Sequence, residues 1–280
     1  MLEIQHLSFK YSRKGKNIFS DFSLQFAPGR IYGLLGKNGM GKSTLLYMCT
    51  GLLRPQSGTV TFEGMPVTER SPEMLQEVFL IPEEPYLPDM TMKAFAQTLT
   101  PFYPRFSDDI LQKCLQQFSL TDDVRFGALS MGERKKMFVS FALATQTRYL
   151  LMDEPTNGLD IPSKSIFRKV VASHMTDERT FIISTHQVGD IDMLLDHIVL
   201  LNEGQLLLNR STADICEQLS FTERPVGVPT DDALYMQPSI QGNAMITLRQ
   251  QGEEETPVNL ELLFNGALAG KLPQSLLSHR

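Results

Sequence analysis

Residues 36 to 43 read Gly36-Lys37-Asn38-Gly39-Met40-Gly41-Lys42-Ser43, the pattern G-x-x-x-x-G-K-[ST]. This octapeptide constrains the fold more tightly than any other stretch. Its glycines let successive backbone N–H groups turn toward phosphate oxygens, and a following helix presents its positive end to the same anion. Such a loop works between a buried strand and a helix, and both flanks agree. Ile31 to Leu35 is an apolar run of strand length, and KSTLLYMCTGLL from Lys42 reads as a helix. Lys42 is expected to reach the β- and γ-phosphates of a nucleotide and the Ser43 hydroxyl to ligate magnesium, with Gly36, Asn38, Gly39, Gly41 and Thr44 lining the nucleotide.

A second element must hold the metal from across the site. Tyr149-Leu150-Leu151-Met152-Asp153-Glu154 is a buried strand ending in acids, and the carboxyl end of such a strand faces the ligand crevice of an open α/β sheet. Asp153 is expected to support the magnesium shell. Glu154 is expected to take a proton from, or orient, an attacking water.

The rest of the chain supplies a frame for these two motifs. Phe22, Leu24 and Phe26 alternate with polar residues, as in a half-buried strand; Thr59–Glu63 repeats the pattern. Val78–Ile81 is a short buried strand, closed by a loop with Pro82, Pro85 and Pro88. From about residue 90 to 130 strand signals cease. Ser107 before Asp108 and Asp109 is a helix start, and Ile110, Leu111, Cys114, Leu115 and Phe118 form one apolar helical face. This segment reads as a helical insertion. Tyr149–Met152, a helix over about 162–175, Phe181–Ser184 and Ile198–Leu201 then restore the alternation that predicts a largely parallel sheet. Residues 1–220 are expected to form this domain. Residues 221–280 are expected to form a small C-terminal appendage, with a strand near Ala244–Leu248 and a helix over Val258–Leu268.

Composition narrows the function classes. Of 280 residues, 42% are hydrophobic and 21% charged, enough apolar surface to exclude disorder as the dominant state. The net charge of −6 argues against non-specific nucleic-acid binding, which needs a basic face. Apolar runs such as Ile198–Leu201 fall far short of the roughly 20 residues of a membrane span. The opening MLEIQHLSFKYSRKGK has no apolar core of signal-peptide length. Cys49, Cys114 and Cys216 are widely spaced without C-x-x-C, which points to a reducing cytoplasm and no zinc site.

Four further motifs, in order, complete a resemblance. Leu129-Ser130-Met131-Gly132-Glu133 resembles the LSGGQ signature of the ATP-binding cassette family, with Ser130 standing 23 residues before Asp153. Asn157-Gly158-Leu159-Asp160 resembles that family's loop across the dimer interface, and Ser184-Thr185-His186 its histidine switch. Tyr11 stands where the family stacks an aromatic on adenine. The resemblance covers about residues 1 to 220, and it is closest to ATPase subunits of bacterial exporter-type systems whose membrane subunit is a separate chain. The segment Val258–Asn265 is also similar to tails of that subgroup. It implies an α/β P-loop NTPase core with a mixed, largely parallel sheet, an antiparallel β subdomain and an α-helical subdomain. It also implies ATP and magnesium as ligands, contacts from Ser130, Gly132 and Asp160 to nucleotide, and His186 reaching the γ-phosphate.

Two residues depart from the family pattern. Met131 replaces the first signature glycine, while Ser130 and the Gly132 N–H remain. Glu83, after Pro82, occupies the place of a glutamine that touches magnesium and water; Glu84 follows, so the alignment leaves one residue of freedom. Other features read as structural. Arg134-Lys135-Lys136 is expected as the polar first turn of a helix with Met137, Phe138 and Phe141 inward. Arg13, Lys14 and Lys16 form a solvated turn around Gly15, and His6, His174, His197 and His279 show no paired spacing.

The expected function is a cytoplasmic ATPase subunit, peripheral on the inner face of the cell membrane, that powers a transporter. A signature serine serves only if it meets ATP on another cassette, so one cassette per chain implies a dimer, homomeric or with a paralogue. The permease is then another polypeptide, expected to dock on residues about 83 to 105, where Tyr86, Leu87, Phe102, Tyr103 and Phe106 offer apolar anchors. The rival class is a soluble cassette protein acting on nucleic acid or ribosomes. Proteins of that class usually have two cassettes in one chain, or a long coiled-coil insertion between phosphate loop and signature, and the 88 residues from Lys42 to Ser130 leave no room for such a coiled coil.

Overall fold

The computed structural model describes residues 1–12 and 14–277; Arg13 and His279 lie outside them. The chain opens with β1 (Leu2–Phe9) and β2 (Phe19–Phe26), in which Phe22, Leu24 and Phe26 are buried and the residues between them exposed. β3 (Ile31–Leu35) is buried at every residue and runs through the glycine loop into α1 (Lys42–Cys49). α1 stops at Cys49, short of the Leu53 that the sequence suggests. Gly51 is the reason. Its φ is +70°, and a Cβ there would lie 2.1 Å from the Val67 carbonyl oxygen, so the chain leaves the helix where only glycine fits. β4 (Ser57–Phe62) and β5 (Met65–Pro66) complete a four-stranded antiparallel sheet of order β2-β1-β4-β5.

The short helix α2 (Pro72–Leu75) precedes β6 (Val78–Ile81). The segment beyond is helical, as its pattern predicts: α3 (Met92–Leu99), α4 (Asp108–Gln117) and α5 (Met131–Ala144). Thr91, Ser107 and Ser130 cap them, each side-chain oxygen accepting a first-turn N–H. Leu111, Cys114 and Leu115 form the buried face of α4 and Phe118 is buried just past its end, while Ile110 is partly buried. Phe141 of α5 anchors the insertion. The rings of Phe79, Phe95, Tyr103 and Phe106 surround it at centroid distances of 5.0 to 6.3 Å, edge-on or tilted, the favourable aromatic geometries. Because Phe79 belongs to β6, this cluster ties the helical layer to the central sheet. It also places Phe106 and Tyr103 against the insertion's own core.

β7 (Tyr149–Asp153), α6 (Ile161–Ser173), β8 (Thr180–Thr185), β9 (His197–Asn202) and β10 (Gln205–Ser211) follow. The six-stranded sheet has the order β10-β9-β3-β8-β7-β6, and every neighbouring pair is parallel except β10 with β9. β3, β7 and β8 are buried throughout, as central parallel strands must be when both faces are covered. The mixed, largely parallel sheet, the antiparallel β layer and the helical layer are thus all present.

α7 (Thr212–Gln218) leads into β11 (Leu219–Arg224), β12 (Ala233–Ser239) and β13 (Gly242–Leu248), a three-stranded antiparallel sheet of order β11-β13-β12. It is packed by α8 (Leu260–Leu268), which Asn259 caps. The strand and the helix read from the sequence are both here, the helix starting after Asn259 rather than at Val258. β11 and β12 carry weaker patterns; β12 is an edge strand with no fully buried residue and a proline, Pro238, which edges tolerate. β11 crosses the division expected at residue 220. Leu219, Ile246 and Leu263 share one hydrophobic cluster with Leu208 and Ile215. No helix among the described residues is long and apolar enough to cross a membrane.

Candidate active site

Parallel pairing sets the carboxyl ends of four strands side by side. Leu35 pairs with Thr185, Ser184 with Asp153, and Met152 with Ile81. The residues just past β3, β8, β7 and β6 therefore converge. They enclose a cavity of ≈ 450 Å³ lined by Tyr11, Ile18, Asn38, Gly39, Gly41, Lys42, Ser43, Thr44, Glu83, Glu154, Asn157 and His186.

The glycine loop forms one wall. Gly39 and Gly41 have φ of +81° and +99°. Gly41 is also the residue before α1, and no side chain caps that helix, so its first-turn N–H groups face an incoming anion. Lys42 is buried, and its Nζ donates to the Gly36 carbonyl at 2.7 Å and the Lys37 carbonyl at 3.3 Å. It also lies 3.5 Å from Glu154 Oε1. Burial pushes the Lys42 pKa down; the carboxylates of Glu154, Asp153 and Glu83 oppose that shift. Tyr11 is exposed, packs edge-on against Phe9, and shares a 2.8 Å hydrogen bond with the Thr44 hydroxyl.

Glu154 and Glu83 line the opposite wall; Asp153, next to Glu154 in the chain, is not part of the lining. Asp153 is buried at the end of β7 and accepts a 2.5 Å hydrogen bond from Ser184 Oγ. Burial raises its carboxyl pKa, the bonds from Ser184 and Ser43 pull it down, and the charges of Glu154 and Glu83 add to the rise. Glu154 has a φ of +44°. Left-handed backbone at a non-glycine residue costs about 1–3 kcal/mol and persists only where surroundings enforce it. Here they do. The Glu154 N–H donates to the Ser184 carbonyl and hydroxyl, each at 3.1 Å, and its carbonyl accepts from Lys135 Nζ at 3.1 Å. Its Oε1 lies 2.8 Å from His186 Nδ1. A carboxylate only accepts, so His186 Nδ1 carries the proton in that bond.

Glu83 follows β6 and accepts from Asn157 Nδ2 at 2.9 Å. It lines the cavity, whereas Glu84 is exposed and does not. Of the two glutamates, the structure therefore brings Glu83 to the site. Ser43, Asp153 and Glu83 offer hydroxyl and carboxylate oxygens, the donor type that hard divalent cations prefer.

Ser130, Gly132 and Asp160 do not line this cavity. Ser130 and Glu133 form a reciprocal capping box at the exposed start of α5, and these bonds hold the Glu133 carboxyl below the usual range. Asp160 caps α6 by accepting from the Ser163 N–H at 2.8 Å. Gly132 lies beside Gly158: a Cβ on Gly132 would be 3.1 Å from the Gly158 carbonyl oxygen.

Lys135 is a correction. It is not part of a solvated polar turn but is buried, with Nζ 2.8 Å from the Asn157 carbonyl as well as 3.1 Å from that of Glu154. Burial pushes its pKa down against the opposing charges of Glu83, Glu154, Glu84 and Asp153. Helical period was the signal available: Lys135 shares its face with Val139 and Ala142, both buried. Asn157 and Ser184 likewise belong to the site through their hydrogen bonds.

The ABC transporter family model matches residues 19–157. The chain is 30% identical over 216 residues to the ABC transporter ATP-binding protein NatA of Bacillus subtilis, covering 75% of this chain and 88% of that one. It is 27% identical over 208 residues to YtrB, another ABC transporter ATP-binding protein of that organism, covering 74% and 70%. Among solved structures, an ATP-binding subunit of an ABC transporter shares the fold with a TM-score of 0.69 at 23% identity, over 77% of this chain and 91% of that chain. The dimeric cassette MJ0796 bound to ADP and Pi does so with a TM-score of 0.66 at 19% identity, over 75% and 98%.

The crowded acids predict a stability effect. A carboxyl whose pKa is raised in the folded chain binds its proton more tightly there than in the unfolded chain, where it titrates near about 3.9. Stability is therefore full below that value and falls as pH rises through the folded pKa. Without nucleotide and metal, Asp153→Asn is expected to raise the melting temperature near neutral pH, with the gain vanishing toward about pH 4. A melting temperature unchanged or lowered at neutral pH contradicts this.

Proposed function

The chain belongs to the ABC transporter family as an ATP-binding, ATP-hydrolysing subunit, and we propose that it drives transport through a separate membrane permease by ATP-dependent closure against a second cassette subunit. The observation that carries this reading is the convergence of the uncapped phosphate loop, Lys42, Glu154 and His186 on one cavity.

The residues divide the work as follows. Loop N–H groups from Asn38 to Thr44 hold phosphate oxygens at the start of α1. Lys42 exchanges its bonds to neutral carbonyls for stronger, charge-assisted ones to the β- and γ-phosphates. Glu154 orients the attacking water or takes its proton, and His186, fixed by its bond to Glu154, reaches the γ-phosphate. The tyrosine ring at position 11 supports the adenine at the cavity mouth.

Magnesium fits the donor set. This cation is bound through one or two carboxylates plus substrate phosphates rather than by an all-protein cage. Among the described residues no group of three or more His, Cys, Asp or Glu forms such a cage, while Ser43, Asp153 and Glu83 stand beside the phosphate loop. Bound there, the ion would neutralise charge on the phosphate oxygens.

Ser130 and Asp160 are exposed and Gly132 is half-buried, all outside the cavity lining, where they serve a second subunit, identical or paralogous. The permease docks in an apolar groove of ≈ 560 Å³ between β6 and the helical layer, lined by residues including Leu52, Leu75, Phe95 and Phe102. Leu52 and Phe102 remain exposed there, and Tyr86 is exposed in the loop after β6. This docking places the subunit at the inner, cytoplasmic face of the membrane. The net charge of −6 disfavours a nucleic-acid partner.

Three experiments test this reading. Glu154→Gln is expected to bind ATP yet lose about 100-fold or more in turnover, and to run as an ATP-dependent dimer on size exclusion; wild-type turnover would remove Glu154 from the reaction. Glu83→Gln is expected to raise the magnesium concentration for half-maximal ATPase while keeping turnover at saturating metal, and Glu84→Gln to do much less. Unchanged magnesium dependence in both would show that neither ligates the ion. A photo-crosslinker at Phe102 should capture an integral membrane protein in native membranes; capture of ribosomal proteins alone would favour the rival class.

A further inference from the structure

Lys135 leaves α5 on its buried face, five residues after Ser130, and is only 2% exposed. Among the described residues no carboxylate forms a salt bridge with it. Its Nζ instead donates to two main-chain carbonyls, Glu154 at 3.1 Å and Asn157 at 2.8 Å. Burying an ammonium without an ion pair is costly, so what it holds should matter.

What it holds is the turn that aims Glu154. At its amino side, the Glu154 N–H is fixed by both the carbonyl and the hydroxyl of Ser184. At its carboxyl side, the next residue is Pro155, whose ring locks its own φ and which has no N–H to anchor the peptide. The Glu154 carbonyl is then the remaining handle on that peptide plane: it accepts from the Asn157 N–H within the turn at 3.2 Å and from Lys135 Nζ at 3.1 Å, and Lys135 is the hold that comes from another element. With both sides pinned, the left-handed φ of +44° persists and the carboxylate points at His186 and Lys42. The second carbonyl extends the grip to Asn157, whose amide holds Glu83.

We infer that Lys135 is a positioning residue for ATP hydrolysis: it locks the Glu154 turn and the Asn157 loop to the helix that begins at Ser130. A displacement of that helix by a neighbouring subunit's nucleotide would then re-aim this chain's own Glu154. The inference rests on the reading of Glu154 as the group that acts on water. Wild-type turnover in Glu154→Gln would overturn that reading, whereas the variants below overturn only the role of Lys135.

The test uses the full chain carrying Lys135→Met, which keeps length and loses the donors. Turnover number, KM, ATP affinity by calorimetry and melting temperature are measured together. A misaimed catalytic group is expected to lower kcat by about 10- to 100-fold while ATP affinity changes less than about threefold. Lys135→Arg, which keeps N–H donors, should recover most of the lost kcat. Should the methionine variant not fold, Lys135→Gln, neutral and shorter in reach, is expected to show the same selective loss. Wild-type kcat in a folded Met or Gln variant overturns the inference. So does a loss of kcat and ATP affinity in equal proportion, without recovery by arginine.

Discussion

The parallel ladders that bring β3, β8, β7 and β6 to a common edge are the constraint from which the site follows. Neighbouring strands lie only about 4.8 Å apart, so the residues one to three places beyond each strand end cannot avoid one another. Gly36 begins the phosphate loop, Glu154 and His186 meet at 2.8 Å, and Glu83 reaches Asn157 at 2.9 Å. The same arrangement explains the complete burial of β3, β7 and β8, since helices cover one face and the antiparallel layer with α1 the other.

That convergence crowds charge of one sign. Asp153, Glu154 and Glu83 sit within mutual influence, and burial already penalises the Asp153 carboxylate. Two buried lysines answer them from opposite sides. Lys42 stands on the phosphate side, 3.5 Å from Glu154, and Lys135 stands behind the turn, bound to main-chain carbonyls. Each is desolvated, and each is supported by the neighbouring acids. The extra negative charge at Glu83, where the related pattern has an amide, belongs to this balance.

The signature segment follows a different logic. Ser130 caps its own helix and faces outward beside the exposed Met131, while Gly132 and Gly158 bring the first turn of α5 and the Asn157–Asp160 loop into close approach. Both segments connect to the site from behind: α5 through Lys135, and the Asn157–Asp160 loop through Asn157. The exposed start of α5 is thereby continuous, through these hydrogen bonds, with the groups that line the cavity.

Much of this was legible in the sequence because it is local. The glycine loop between an apolar run and a helix, the acids that end YLLMDE, and the serine cap before Asp108 each depend on residues within one turn or strand of one another. Position 83 was ambiguous, because spacing across a proline-rich loop does not specify orientation; the bond from Asn157, 74 residues away, decided it. β11 and β12 were missed because an edge sheet covered by a helix needs only weak alternation. Lys135 looked like surface because an ammonium is ordinarily solvated. The amino-acid order by itself determined the phosphate loop, the strand-ending acids and the family of folds they require. Only the tertiary structure decided which glutamate enters the site and that a lysine is buried beneath it, because those outcomes depend on partners far apart in the chain whose carbonyls and amides replace water.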